Sequence, residues 1–182
     1  MLSTRFFGAE CRIEGRTMAK HKEEKTNVMR LLEQKKVPYT AHTYEETESP
    51  LGDREYGLHI AQTLGQDEKR VYKTLVARGA SGQPYVFCIP VAESLDLKKA
   101  AKAVGEKSVE LLAVKELLPL TGYVRGGCSP LGMKKQFPTV FHAAAAECET
   151  VFVSAGKIGF QVELAPSALL SLTRGATADI IV

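Results

Sequence analysis

The stretch Arg70-Val71-Tyr72-Lys73-Thr74-Leu75-Val76-Ala77-Arg78, followed past a Ser81-Gly82 turn by Tyr85-Val86-Phe87-Cys88-Ile89-Pro90-Val91, decides the fold. Its first half alternates and is rich in residues that suit a pleated surface (Val71, Tyr72, Thr74, Leu75, Val76). It predicts a strand over 70–78, and the glycine turn feeds a second strand over 85–91. Successive side chains of a strand point to opposite faces, so Tyr72, Thr74 and Val76 share one face and Lys73 and Leu75 the other.

Downstream of this hairpin, Ser94 or Asp96 can cap a helix in which Leu97, Ala100, Ala101 and Val104 recur at helical spacing. Lys98, Lys99 and Lys102 then point outward, and Gly105 stops the helix. A further helix over about Val114 to Leu118 precedes Pro119 and a glycine-rich segment, Thr121 to Gly132. Short strands flanked by proline or glycine are expected over Thr139 to Phe141, Thr150 to Ser154 and Phe160 to Leu164. Pro166 fits the first turn of a helix running through Leu172, and Asp179 to Val182 can close the sheet. Upstream, Thr26 or Asn27 caps a helix that Pro38 ends, and Tyr39 to Tyr44 reads as a strand. Glu45 to Asp53 is a polar loop, and Glu55 to Leu64 a helix closed by Gly65. Hairpins mixed irregularly with helices argue for an α/β fold of the α+β kind, a mixed sheet with peripheral helices and not a doubly wound parallel sheet.

The chain has 182 residues and no charge-rich or Pro/Gly-rich linker in its interior, which suits one core over residues 25–182. Hydrophobic residues at 45% and charged residues at 25% are ordinary for a soluble protein, and no apolar run approaches the length of a membrane span. The net charge of +3 is too small to diagnose nucleic-acid binding. The clustering of Lys98, Lys99, Lys102 and of Lys134, Lys135 is more informative, since a basic face holds phosphate whatever the total; such lysines also serve simply to solvate a surface. Cys11, Cys88, Cys128 and Cys148 make no Cys-x-x-Cys pair, so no structural zinc is expected, and their scattered hydrophobic contexts suit reduced thiols in a cytoplasmic protein. Residues 1–24 carry Ile13-Glu14-Gly15-Arg16, a protease site, with Met18 just after it. They are expected to be a mobile extension: a vector remnant, an early start codon or a natural basic arm.

Three segments can carry chemistry. Lys73 shares a strand face with Leu75, which pushes its ammonium toward partial burial; it must reach the rim, find a partner or serve a ligand. Thr121-Gly122-Tyr123-Val124-Arg125-Gly126-Gly127-Cys128-Ser129-Pro130-Leu131-Gly132 can bring main-chain N–H groups close to an oxyanion or phosphate, or form a structural turn. It is a near miss for a P-loop, because methionine stands where the lysine is required and Pro130 removes a donor. Val153-Ser154-Ala155-Gly156-Lys157-Ile158-Gly159-Phe160 reads as strand, glycine turn, strand; it is either a plain hairpin or a pocket wall built on Ser154 and the amides around Gly156. Conventional catalytic sets are absent. Cys128 has no histidine nearby in sequence to activate it, and His42, His59 and His142 form no metal motif.

Together, in this order and at these separations, the segments resemble the YbaK/EbsC family of aminoacyl-tRNA deacylases, whose fold also forms the editing insertion of bacterial prolyl-tRNA synthetases. The resemblance spans about Lys25 to Val182. It is carried by Lys25-Thr26-Asn27, His42-Thr43-Tyr44, Tyr72-Lys73-Thr74-Leu75, Leu97-Lys98-Lys99-Ala100, Thr121-Gly122-Tyr123, Gly126-Gly127 to Gly132, and Val153-Ser154-Ala155-Gly156-Lys157. It implies a mixed, partly barrel-like sheet ringed by helices, and a pocket lined by Tyr44, Tyr56, Lys73, Thr74, the Gly126-Gly127 backbone, Ser154 and Gly156, with Lys73 as the catalytic residue. Tyr56 stands where several members carry phenylalanine, Gln161 where some carry a smaller or acidic residue, and His142 where Asp or Asn is common. These departures bear on substrate preference more than on reaction class.

The implied activity is trans-editing: removal of a wrongly attached amino acid, cysteine above all, from proline tRNA, with no cofactor and no metal. In this family the cysteine thiol is thought to attack its own carbonyl, which accounts for the missing triad. Lys73 would orient the carbonyl or terminal ribose and offer charge to the oxyanion, assisted by amides around Gly126-Gly127. Lys98, Lys99, Lys102, Lys134 and Lys135 would grip the acceptor end, and tRNA selectivity would come either from this chain or from a prolyl-tRNA synthetase partner. Two alternatives stand beside this reading. One is a deacylase for another small amino acid, such as alanine, using water. The other is a non-catalytic module that binds tRNA or prolyl-tRNA synthetase.

Overall fold

The computed structural model describes residues 24–45 and 53–182. The extension expected over residues 1–24 lies, apart from Glu24, outside the described residues, as do residues 46–52 of the segment where a polar loop was expected. The elements run α1 (Asn27–Gln34), β1 (Thr40–Thr43), α2 (Asp53–Thr63), β2 (Tyr72–Gly79), β3 (Pro84–Pro90), α3 (Leu97–Val104), β4 (Val109–Leu111) and α4 (Val114–Thr121). Then follow β5 (Thr139–His142), a 3-10 turn (Ala143–Glu147), β6 (Val151–Ser154), β7 (Phe160–Leu164), α5 (Pro166–Thr173) and β8 (Ala176–Ala178).

The hairpin that opened the reading is the centre of a five-stranded sheet ordered β4-β2-β3-β5-β8. β2 is antiparallel to both its neighbours, and β5 and β8 add in parallel, so the sheet is mixed, as expected. A second, antiparallel sheet is ordered β1-β7-β6. The two meet at a seam, where Val71 bridges to Phe152 and the Phe152 N–H donates to the Arg70 carbonyl at 2.9 Å. Side chains of the hairpin alternate between two cores. Tyr72, Val76, Val86 and Cys88 pack in one core with Val28 and Leu32 of α1, Val153 and Val162. Ala77, Phe87 and Ile89 face a second core completed by Ala100 and Ala101 of α3 and by Ile180. Burying each large apolar side chain contributes about 1.5–3 kcal/mol, so a hairpin buried on both faces is the main source of cohesion.

Local chemistry sets the helix ends. Thr26 Oγ1 accepts from the Met29 N–H at 3.3 Å, and Asp96, not Ser94, caps α3 by accepting from Lys98 and Lys99 N–H groups at 2.8 and 3.0 Å. Two expectations need correction. The helix expected to stop before Pro119 runs through it to Thr121. Its last carbonyls are satisfied from elsewhere: Thr121 Oγ1 donates to Leu117 O at 2.7 Å, the Gly122 N–H to Leu118 O at 2.9 Å, and Lys134 Nζ to Leu118 and Pro119 O at 3.5 and 3.4 Å. The closing strand is Ala176–Ala178, not 179–182. The last residues cross instead to the start of α3, where Leu95 bridges to Ile181 and Ile180 is fully buried. β4 and the 3-10 turn were not anticipated. Among the described residues no helix is long and apolar enough to cross a membrane.

Candidate active site

A cavity of about 200 Å³ opens beside β2. Six of the residues expected at a pocket line it: Tyr44, Tyr56, Lys73, Thr74, Gly126 and Ser154. They come from five separate pieces of chain. Tyr44 follows β1, with its N–H donating to Gly159 O at 2.9 Å. Tyr56 lies on α2, one turn before Ile60, which shares the wall. Lys73 and Thr74 are on β2, Gly126 is on the glycine-rich loop, and Ser154 ends β6.

Lys73 is half-buried, and its ammonium donates to the Val91 carbonyl at 3.1 Å. The tension seen in the sequence, a lysine on a face shared with leucine, is thus resolved at a cavity wall and not in open solvent. A held ammonium beside a concave, largely apolar site is fit to stabilise negative charge on a bound group. The Thr74 hydroxyl is turned the other way, 3.9 Å from Cys88 Sγ in the core. Ser154 Oγ accepts from the Gly156 N–H at 3.2 Å, which leaves its own proton to donate.

The glycine loop needs a sharper account than the sequence allowed. Gly126 has φ of 82°, a left-handed conformation that favours glycine, and it faces the cavity beside the Tyr56 ring. Gly127 does not line the cavity; its N–H donates to Val124 O at 3.0 Å. Gly156 is likewise set back, its amide spent on Ser154. Gly127 and Gly156, both expected at the pocket, thus bond within local turns, and of these glycines Gly126 is the one at the cavity.

Gln161, singled out in the sequence for substrate preference, also lines the cavity, and other lining residues were missed: Arg125, Cys128, and the apolar wall of Leu111, Leu112, Val114 and Leu117. Arg125 could have been suspected from its place before the paired glycines. The apolar wall could not, because it depends on β4 adding to the far end of β2. Cys128 is buried, and burial pushes its thiol up to about 12, so at neutral pH it is not a thiolate nucleophile. Cys88 is pushed higher still by complete burial.

The basic set is divided. Lys98, Lys102, Lys134 and Lys135 are exposed. Lys99 is committed to the fold, with its ammonium 2.9 Å from Asp179 Oδ2 and 2.9 Å from the Ile181 carbonyl. Lys134 caps the end of α4 as described above. Of the five lysines expected to grip the acceptor end, four stand exposed, and Lys99 and Lys134 also bond within the fold.

Comparison with known proteins completes the picture. Residues 58–172 match the family described as the aminoacyl-tRNA editing domain. The chain is 50% identical over 164 residues to EbsC of Enterococcus faecalis, a proposed Cys-tRNA(Pro)/Cys-tRNA(Cys) deacylase, with 90% of this chain and 98% of that protein covered. Among solved structures, a proposed trans-editing enzyme for prolyl tRNA synthetase superposes with a TM-score of 0.69 at 25% identity, over 85% of this chain and 94% of that one. Hypothetical protein APE2540 superposes with a TM-score of 0.73 at 22% identity, over 85% and 99% of the two chains.

Proposed function

The chain belongs to the aminoacyl-tRNA editing domain family, and from that premise we propose that it is a deacylase of mischarged tRNA whose substrate is proline tRNA carrying cysteine. The observation that carries this reading is the half-buried Lys73 ammonium, held by the Val91 carbonyl in the same small cavity as Gly126 and Ser154. A cavity of about 200 Å³ has room for an amino-acid side chain and its ester.

An editing site of this kind is needed because a synthetase pocket separates ligands differing by a methylene-sized group by only about 1–3 kcal/mol. The aminoacyl ester is already activated, so no strong protein nucleophile is required, in keeping with the protonated Cys128 thiol. The cysteine sulfur attacks its own carbonyl carbon. As the S–C bond forms and the ester C–O bond breaks, the thiol proton leaves with the ribose hydroxyl, and the four-membered thiolactone then hydrolyses to free cysteine. Lys73 stabilises the carbonyl oxygen as charge develops there, and Tyr44, Tyr56 and Ser154 hold the aminoacyl end in place. Selection of proline tRNA falls to a prolyl-tRNA synthetase partner, in line with the similarity to a trans-editing enzyme for that synthetase.

The test is a deacylation panel with cysteine, alanine and serine on proline tRNA. Cysteine is released fastest, and serine, which lacks the thiol, slowly. Lys73→Ala abolishes release of cysteine while the circular dichroism stays native. Equal rates for cysteine and serine would remove the thiol route, and undiminished turnover in Lys73→Ala would remove Lys73 from the mechanism. A chain that binds tRNA but releases no amino acid would be a binding module.

A further inference from the structure

Along an antiparallel strand, successive residues turn their main-chain N–H and C=O groups to opposite edges. In β2 the register fixes which residue faces which edge. The Val91 N–H donates to Val71 O at 2.8 Å and the Gly79 N–H to Gln83 O at 2.8 Å, and Lys73 and Leu75 lie opposite Ile89 and Phe87 between them. The odd-numbered residues therefore bond to β3, and Tyr72, Thr74 and Val76 address the other edge.

That other edge is occupied only at its ends. At one end Val71 bridges to Phe152 of β6, and the Phe152 N–H donates to Arg70 O. At the other, the Leu112 N–H donates to Val76 O at 2.8 Å, and β4 pairs with Ala77 to Gly79. Between these points β2 has no strand partner among the described residues. The Tyr72 carbonyl, both main-chain groups of Thr74 and the Val76 N–H face the gap. The cavity occupies that gap, since every residue from Val71 to Val76 lines it. With the Thr74 side chain turned to Cys88, Thr74 offers the cavity its backbone.

We infer that this free edge reads the aminoacyl group itself, with the Thr74 C=O accepting from the α-ammonium and the Thr74 N–H donating to the ester carbonyl. The aminoacyl residue adds to β2 as a strand one residue long, making the paired exchange of hydrogen bonds that antiparallel neighbours make. The inference rests on the deacylase reading above and deepens it. The substrate class is an L-aminoacyl ester with a free α-amino group. N-acylated esters, such as peptidyl-tRNA, lack the ammonium and are refused. Main-chain recognition also leaves the side-chain test to the facing wall, because every amino acid presents the same ammonium and carbonyl.

Two measurements test this on the full chain. The first is amide hydrogen exchange by NMR, with and without 3′-deoxy-3′-(L-cysteinylamino)adenosine, which carries the ammonium and carbonyl on a bond the enzyme cannot cleave. In the free protein the Thr74 N–H exchanges faster than that of Leu75, which is bonded to β3. On binding, Thr74 gains at least about tenfold protection and Leu75 changes little. Binding with no change at Thr74 overturns the inference alone, whereas a complete lack of binding overturns the deacylase reading with it. The second compares cysteinyl-tRNA with N-acetylcysteinyl-tRNA. Acetylation lowers kcat/KM by at least about tenfold, the loss expected for a charge-assisted hydrogen bond. Equal rates overturn the inference even if the analogue binds.

Discussion

Tyr123 is buried, its hydroxyl donates to the Leu131 carbonyl at 2.6 Å, and a Cβ added at Gly156 would stand 2.7 Å from its ring. The side chain thus ties the glycine-rich loop that carries Gly126 to the Ser154–Gly159 turn, the two loops that meet at the cavity. Gly156 has φ of 85°, so a substituted residue meets both backbone strain and the ring. Gly156→Ala is expected to lower stability by about 2 kcal/mol in urea denaturation, and Tyr123→Phe by about 1–2 kcal/mol, because the Leu131 carbonyl is left buried without its donor. Deacylation should fall with both, since the loops lose their common anchor; a Gly156→Ala protein of native stability would show that the turn relaxes freely. Cys128 gives a second test on this scale. With its thiol pushed up to about 12 by burial, it should resist iodoacetamide at neutral pH and react only once the chain is unfolded, as read by mass spectrometry. Rapid alkylation of the native protein would return Cys128 to the candidates for nucleophile.

The elements are held together most visibly at the seam between the sheets. Glu163 of β7 accepts from Thr150 Oγ1 at 2.5 Å and from Arg70 Nη2 at 2.8 Å, and lies 3.0 Å from His42 Nε2 of β1. Arg70 also donates to Thr150 O at 2.9 Å and stacks over Phe152 at 5.1 Å. Burial alone would raise the Glu163 carboxyl, but the hydrogen bonds from Thr150, His42 and Arg70 outweigh it and hold the group below its usual value of 4.5. A depressed carboxylate contributes stability that is fully present above the unfolded value and is lost as pH falls through the folded one. The midpoint of urea unfolding should therefore decline with acid below about pH 4.5, and Glu163→Gln should flatten that decline and lower the plateau above it. An unchanged acid limb in the variant would place the titration elsewhere. The seam also shows what the sequence could and could not disclose. β2, β3, β6 and β7 were legible because their own residues, rich in Val, Phe, Tyr and Ile, suit a strand. β4 and β8 were not: Glu110, Leu111, Ala176 and Thr177 are exposed, so these pieces become strands only because a neighbour's edge is there to pair with. The run of α4 through Pro119 was hidden for a similar reason, since a lysine fifteen residues further on satisfies its end. At the site, Lys73, Gly126 and Ser154 were found by motif. The spending of the Gly127 and Gly156 amides on local turns depends on backbone angles that no motif displays.

Across the whole molecule, the question is how a chain of net charge +3 holds a polyanion. The fold answers in part by dividing the lysines. Lys98 and Lys102 stand exposed on α3, whereas Lys99 between them latches the end of the chain through Asp179 and Ile181 O. The carboxyl of Asp179 is correspondingly held below its usual range, first by the Lys99 hydrogen bond. The two kinds of lysine should fail differently. If Lys98 and Lys102 neutralise tRNA phosphates, as proposed for exposed cations of α3, replacing both by glutamate should raise KM for charged tRNA while kcat and Tm hold. Each phosphate that is no longer neutralised should also reduce the slope of log KM against log salt by about 0.7–0.9, so the double variant should flatten the plot by roughly 1.5 units. Lys99→Ala should instead lower Tm, because the latch that brings Ile180 into the second core loses its tie, and should leave the salt slope near that of the parent. A double variant with an unaltered salt slope would mean that α3 does not meet the tRNA. The acceptor end would then approach across the other exposed cations of the predicted set, Lys134 and Lys135, where the same salt titration on Lys135→Glu would find it.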